Sequence, residues 1–306
     1  MNIYVSLITI KGGTSVKKLL LLMVTAIFIL AACSSDASNA PVESTVASDE
    51  DHRIIAGTVV VATILDQLNL NAVAVPDTVK ELPNRFDGLP NIGNAMDPDP
   101  ETIKMLNPTE LITVSTLEYD LKESFEKYKI PASYLDLTSV ETMLSEIDGL
   151  GQRYNRQEEA SALVNKLKAE IEAVQAAAAT KEKPRVLILL GVPGSYLVGT
   201  ENSYAGDLVR LAGGVNVMEG QEAEFLPSNT EYLYDSNPDI ILRLAHGMPD
   251  EVIDMFNEDF KTNDVWKHFD AVKNGRVYDL EEELFGTTAA LNVPEALNVL
   301  QTIFYN

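Results

Sequence analysis

The chain has 306 residues, 46% of them apolar, 23% charged and 7% aromatic, the make-up of a folded globular protein of one or two domains and neither a disordered nor a fibrous one. Acidic residues outnumber basic ones 46 to 23, and the resulting net charge of −23 argues against nucleic acid or bare anionic lipid as a partner. One cysteine rules out an internal disulfide, and three histidines leave little room for a multi-histidine metal site.

Lys17 and Lys18 precede an almost wholly apolar run, Leu19 to Ala32. That charge-then-apolar order marks a secretory signal and not a membrane span. The run ends Leu30-Ala31-Ala32-Cys33-Ser34, which looks like a bacterial lipobox. Residues 1–32 are therefore expected to be a lipoprotein signal peptide, with Cys33 lipidated and serving as the membrane anchor; the bland alternative for Cys33 is a buried thiol. A signal starting beside Val16 would serve equally, so residues 1–15 read as an over-long start. Residues 33–52, small, polar and acidic, have nothing to bury and form a flexible tether of roughly 25 Å average reach. The folded body is placed on the extracytoplasmic face of a bacterial cell membrane.

From Arg53 the chain alternates β-rich runs with helical patterns, an α/β organisation. RIIAGTVVV opens it, and Gly57-Thr58 makes a strand-to-helix turn whose backbone amides suit a carboxylate, or whose threonine simply caps the helix. NAVAV follows. Met96 then lies between Gly93 and the sequence Asp99-Pro100-Glu101, which reads as helix cap, first-turn proline and dipole-favoured carboxylate. A methionine among Gly, Asn, Asp and Pro lacks the periodic apolar partners of a core residue. After Asn107-Pro108 comes the strand ELITV. Thr138 and Glu141 are placed to form a capping box, and Leu163, Leu167, Ile171, Val174 and Ala178 recur at helical spacing. A helix from Asn155 to Ala179 would span roughly 38 Å.

VLILL then leads into GVPGSYLVG, placing Gly191, Gly194 and Ser195 at a strand's carboxyl end, where glycine lets a flat ligand approach or merely makes a turn. The loop is no G-x-S-x-G nucleophile elbow and no dinucleotide fingerprint. DIILRL is followed directly by His246, a position where α/β sheets present ligand groups. Met248 is a weaker thioether alternative, and GRVYDL is the last strand. His52, His268 and the triplet Glu281-Glu282-Glu283 read as solvated. An internal echo links the halves: Glu101 and Glu231 are each followed by Asn-Pro at the same spacing and then a strand. Proline stops each helix and biases the preceding asparagine toward extended geometry. The expected architecture is two similar α/β lobes, 53–138 and 181–306, joined by a helical segment, 139–180, with a ligand cleft between them.

The anchored, two-lobed body resembles the helix-backbone class of substrate-binding lipoproteins that feed bacterial ABC importers of siderophores, cobalamin and haem. Its nearest likeness is to the haem-binding lipoproteins of the iron-regulated surface determinant type. The stretches that carry it include KELPNRF, NIGNAMDPDPE, SYAGDLVRLAGGVNV, NPDIILRLAHGMP and VWKHFDAVKNGRVYDLEE. The resemblance implies a non-enzymatic receptor for haem b, with Met96 and His246 as axial iron ligands. It implies Lys80 beside a propionate, and Glu101 and Glu231 as knobs that dock an ABC permease. An upstream cell-surface haem donor is a further partner. Imidazole and thioether together suit haem iron. A ferric siderophore as cargo, or a haem-modifying enzyme, are the alternatives; a zinc or manganese receptor would want more histidines.

Overall fold

The computed structural model describes residues 52–228, 233 and 236–306. The expectations for the 1–32 signal, Cys33, the tether up to residue 51, and Glu231 lie outside the described residues. Among the described residues no helix is long and apolar enough to cross a membrane.

The first lobe runs β1 (Ile54–Ala56), α1 (Val59–Gln67), β2 (Ala72–Asp77), β3 (Asn91–Asn94), β4 (Asp97–Pro98), α2 (Pro100–Met105), β5 (Glu110–Val114), α3 (Glu118–Tyr128) and β6 (Ala132–Leu135). Its sheet has the order β4-β3-β2-β1-β5-β6. Every neighbouring pair is parallel except β3 with β4. The run RIIAGTVVV divides at Gly57-Thr58: only Ile54–Ala56 is strand, because the Thr58 hydroxyl accepts from the Val61 amide at 3.3 Å and starts α1 there.

Two helices link the lobes, α4 (Val140–Arg153) and α5 (Gln157–Ala178). The capping box forms one residue later than the sequence predicts. Ser139, not Thr138, accepts from the amide of Thr142, whose hydroxyl accepts from the Ser139 amide. The Thr138 hydroxyl is occupied with Asp136 Oδ1 at 2.7 Å, so the adjacent serine takes the cap. Asn155, with φ of +56°, turns the chain between the helices. The 22 residues of α5 reach about 33 Å. Ala160, Val164, Leu167, Ile171, Val174 and Ala178 form its buried stripe.

The second lobe comprises β7 (Arg185–Val192), β8 (Ser195–Gly199), α6 (Tyr204–Leu211), β9 (Val215–Asn216), β10 (Phe225–Pro227), β11 (Ile240–Ala245), α7 (Pro249–Thr262), α8 (Asp270–Lys273), β12 (Val277–Leu280) and α9 (Val293–Tyr305). Its sheet order is β10-β8-β7-β11-β12, with β9 also on β7. Strands β7, β11 and β12 are parallel, and β8 and β10 run against their neighbours. One core is shared by the two lobes: Ile54 and Leu65 of the first lobe, Leu167 and Ile171 of α5, and Ile188, Leu242 and Leu300 of the second belong to a single buried apolar cluster, and each lobe has a further cluster of its own. Two hydrogen bonds tie the second lobe down near the start of α4: Val140 N of that helix to Asp207 Oδ2 at 2.9 Å, and Ala289 N to Leu137 O of the first lobe at 2.7 Å.

The echo survives with a different backbone. Asn107 and Asn237, each before a proline, have φ of +46° and +34°. They are left-handed, not extended, because asparagine tolerates that region and Asn107 follows the last capped turn of α2.

Two glycines of α4 should respond in opposite directions to alanine. A Cβ on Gly151 would sit 2.4 Å from Ala160 Cβ, where α4 meets α5, whereas Gly149 has open space around it. Gly151→Ala is expected to cost about 1–3 kcal/mol. Gly149→Ala should gain about 0.5–1 kcal/mol. Thermal and urea unfolding of the two variants beside the parent chain measures both signs.

Candidate ligand-binding site

Strands β1, β2 and β3 are parallel neighbours, so the residues that follow them emerge at one edge of the first sheet. Gly57-Thr58 follows β1, Lys80 lies just beyond β2, and Met96 lies just beyond β3. Gly57 serves by having no side chain: a Cβ there would lie 2.8 Å from Thr113 Cβ and 2.9 Å from Ile112 O. Its amide is committed to the sheet, donating to Ile112 O at 2.7 Å, so it is not one of the amides open to a carboxylate. The Val59 and Val60 amides, in the first turn of α1, have no partner within the helix by geometry.

Met96 occupies a two-residue hairpin tip with Ala95, between Asn94 and Asp97, which pair across β3 and β4. The Asn94 side chain holds that turn by accepting from the Met96 amide at 2.8 Å. The Met96 side chain, at 63% exposure, packs into no core. Behind it Asp99 caps α2, and hydrogen bonds from the Thr102 hydroxyl and the Glu101 amide hold its carboxyl below the usual carboxylate range. Glu101 is exposed in the first turn of that helix.

The second edge is built the same way. His246 directly follows β11, and its amide donates to Gly191 O of β7 at 2.9 Å. Strand β12 pairs with β11 in parallel, with Leu280 opposite Leu244. Two residues further along each strand come Glu282 and His246, which the register therefore sets level. That register is pinned by Arg243 and Asp279, which face each other in it. Arg243 Nε and Nη2 reach the two Asp279 oxygens at 2.7 and 2.6 Å, while the guanidinium lies over Phe256 and Phe260.

The two edges meet at one oxygen. Glu282 Oε1 is 3.4 Å from Lys80 Nζ of the first lobe and 3.2 Å from His246 Nδ1 of the second. The lysine contact is a hydrogen bond; the histidine contact is close but off hydrogen-bond alignment. Glu282 is only 22% exposed at its side chain, whereas Glu281 and Glu283 beside it are exposed. The solvated reading of the acidic triplet is thus corrected for its central residue. Sequence reasoning missed it because the signal, equal distance past two paired strands, needs the β11–β12 register.

The remaining predicted residues fall as follows. Gly194 and Ser195 are exposed where β7 turns into β8. Gly194, with φ of +84° after Pro193, supplies the positive angle of that tight turn. Gly191 is not a wall for a ligand: a Cβ there would strike Val252 Cγ1 at 2.4 Å and the Phe256 ring at 2.7 Å, so it is the close approach of α7 that requires glycine. Met248 is 56% exposed with φ of +48°, just before Pro249 opens α7. His52, expected in solvent, lies edge-on against Tyr154 with ring centroids 5.0 Å apart. Lys80 and His246 share the Glu282 carboxylate; Met96 and the α1 N-terminus share the Lys80 edge.

A family model described as "Periplasmic binding protein" matches residues 54–284. The High-affinity heme uptake system protein IsdE of Staphylococcus aureus is 44% identical over 291 residues, covering 94% of this chain and 97% of that protein. An ABC transporter substrate-binding protein from Listeria monocytogenes has a crystal structure that is 54% identical and superposes with a TM-score of 0.80, over 83% of this chain and 98% of that one. The crystal structure of S. aureus IsdE complexed with heme is 44% identical, with a TM-score of 0.81 over 83% of this chain and 99% of the other. A family match across both lobes, joined to such identity over nearly the whole length, makes this chain a member of the periplasmic binding protein family.

Proposed function

We propose that this chain is a membrane-anchored receptor that captures haem between its two lobes and delivers it to an ABC importer for iron acquisition, making and breaking no covalent bonds itself. The observation that carries the reading is the meeting of the two strand-end edges, where Lys80 of one lobe and His246 of the other reach the same Glu282 oxygen. A site assembled from both lobes is what a receptor needs to grip a ligand from opposite faces. The similarity to IsdE, whose structure was solved with heme, supports haem as the cargo.

In this reading Met96 and His246 are the axial pair, haem b being the transported ligand. A 63% exposed thioether on a tight hairpin and an imidazole at a strand end both offer donor atoms that no core packing consumes. Sulfur and nitrogen donors suit the iron and raise its reduction potential relative to two imidazoles. Lys80, with Thr58 and the first-turn amides of α1, faces the propionates, since a helix N-terminus and an ammonium both favour carboxylates. Gly57, which cannot spare its amide, allows the strand-to-helix turn to pack closely. Gly194 and Ser195 border the cleft from the second lobe. Lipid on Cys33 ties the body to the extracytoplasmic face of the membrane through the 33–52 tether. Glu101 and Glu231 give the permease a charged register on each lobe, and a cell-surface protein upstream supplies the haem. The 53–138 and 181–306 lobes with their 139–180 link are the units of that scheme.

Haem-loaded Met96→Ala and His246→Ala proteins should each lose the six-coordinate low-spin absorption spectrum, with haem affinity down at least about tenfold. Parent-like spectra in both variants would refute the axial assignment. The Glu101→Ala/Glu231→Ala double variant is expected to bind haem within about twofold of the parent and to lose several-fold in haem-dependent growth, because exposed complementary charges chiefly steer and orient encounter. Undiminished uptake by that variant would exclude the docking role.

A further inference from the structure

Within that functional reading, we infer that the Met96 sulfur is a redox modification site: a hydroperoxide oxidises it in the empty receptor and lowers haem capture, and reduction of the sulfoxide restores it. Thioether oxidation needs access, and access divides the methionines. Among the described residues Met143 and Met218 are buried and Met255 is half-buried against an apolar cluster, while Met96, Met105 and Met248 are exposed. Of these three only Met96 is an iron donor in the reading above. Met105, the most open at 78%, ends α2 just before β5 begins. Parallel strands of the first sheet start at that edge, so Met105 lies at the opposite end of the sheet from the rim that carries Met96. Exposure without donation at Met105 makes it an internal control.

The backbone keeps the Met96 sulfur in the open. Asn94 and Asp97 pair across the hairpin, Gly93 takes a φ of +90° before it, and the Asn94 side chain accepts from the Met96 amide. A two-residue tip pinned on both sides leaves only side-chain rotation, and Met96 belongs to no apolar cluster among the described residues. In the chemical step a sulfur lone pair attacks one peroxide oxygen. The O–O bond breaks as the S–O bond forms, and the proton of the transferred oxygen passes to the leaving one. Two electrons move from sulfur to peroxide, giving a sulfoxide and water, or an alcohol from an organic hydroperoxide. The product side chain is polar and presents a hard oxygen one bond further out in place of the soft thioether donor. A methionine sulfoxide reductase with a dithiol reverses the step, yielding thioether, disulfide and water. Bound haem covers the same sulfur, so the modification acts on empty receptors and stops iron intake at the capture step.

The test treats the haem-free protein with hydrogen peroxide, removes the peroxide with catalase, maps the added oxygen by peptide mass spectrometry and then titrates haem. Parent protein oxidised at Met96 should bind haem about tenfold more weakly. Methionine sulfoxide reductases with dithiothreitol should return it to its starting affinity. The Met96→Leu variant, with no sulfur at the tip, should bind weakly from the outset and be unchanged by peroxide. The Met105→Leu/Met248→Leu double variant should lose affinity to peroxide as the parent does. Any of three results would overturn the redox role: Met96 unmodified under conditions that oxidise Met105, undiminished affinity in parent protein oxidised at Met96, or an equal peroxide effect in Met96→Leu. Untreated Met96→Leu separates this from failure of the functional reading. If it binds haem weakly while the oxidised parent binds normally, only the redox role falls. If it keeps the parent affinity and spectrum, Met96 is not the axial donor and the haem site itself is misassigned.

Discussion

Parallel strands all finish at the same edge of their sheet, and that single geometric constraint assembles the site. In the first lobe it brings the residues after β1, β2 and β3 to one rim: Gly57-Thr58, Lys80 and Met96. In the second it does the same for the residues after β11 and β12, His246 and Glu282. Side chains that are 36 residues apart in sequence become neighbours because the two strands start in register and advance together. The Arg243–Asp279 pair guards that register. Its guanidinium is 7% exposed and satisfied by both carboxylate oxygens and Asn257, so a slip along the strands would strand a buried charge.

The frame around the cleft is continuous. A shared apolar core runs from the first sheet through α5 into the second, the Val140 amide of α4 bonds to Asp207 of the second lobe, and the Ala289 amide bonds across to Leu137 of the first. A cleft with such a hinge line is expected to accommodate its ligand by small adjustments, since a packed 22-residue helix resists bending while interface side chains can realign. The groups carried at the two rims are a thioether at a hairpin tip, an imidazole whose Nδ1 lies 3.2 Å from Glu282 Oε1, an ammonium and a helix N-terminus.

Much of the fold was legible from residue pattern. ELITV forms a strand at its predicted bounds, VLILL and all of DIILRL but its leading aspartate lie within β7 and β11, and the apolar spacing of Leu167, Ile171, Val174 and Ala178 marks the buried face of α5. The errors were local competitions. Two oxygen-bearing residues sat side by side at the start of α4, and a bond to Asp136 decided against Thr138. Asparagine tolerated the left-handed region that most residues avoid, which overrode the extended bias before proline at 107 and 237. The short strands β3, β4, β6, β8, β9 and β10 escaped notice because runs of two to five residues carry little hydrophobic periodicity.

By itself the sequence determined the α/β alternation, the capped helix start that follows Met96 and the strand-end place of His246, because each depends on residues within a few positions of one another. Tertiary structure alone decided that Gly57 gives up its side chain to β5 and its amide to Ile112, that Gly191 yields to α7, and that Glu282 is the acid facing both Lys80 and His246. Those facts are set by strand register and by the approach of one lobe to the other, and neither distance is written into any local stretch of chain.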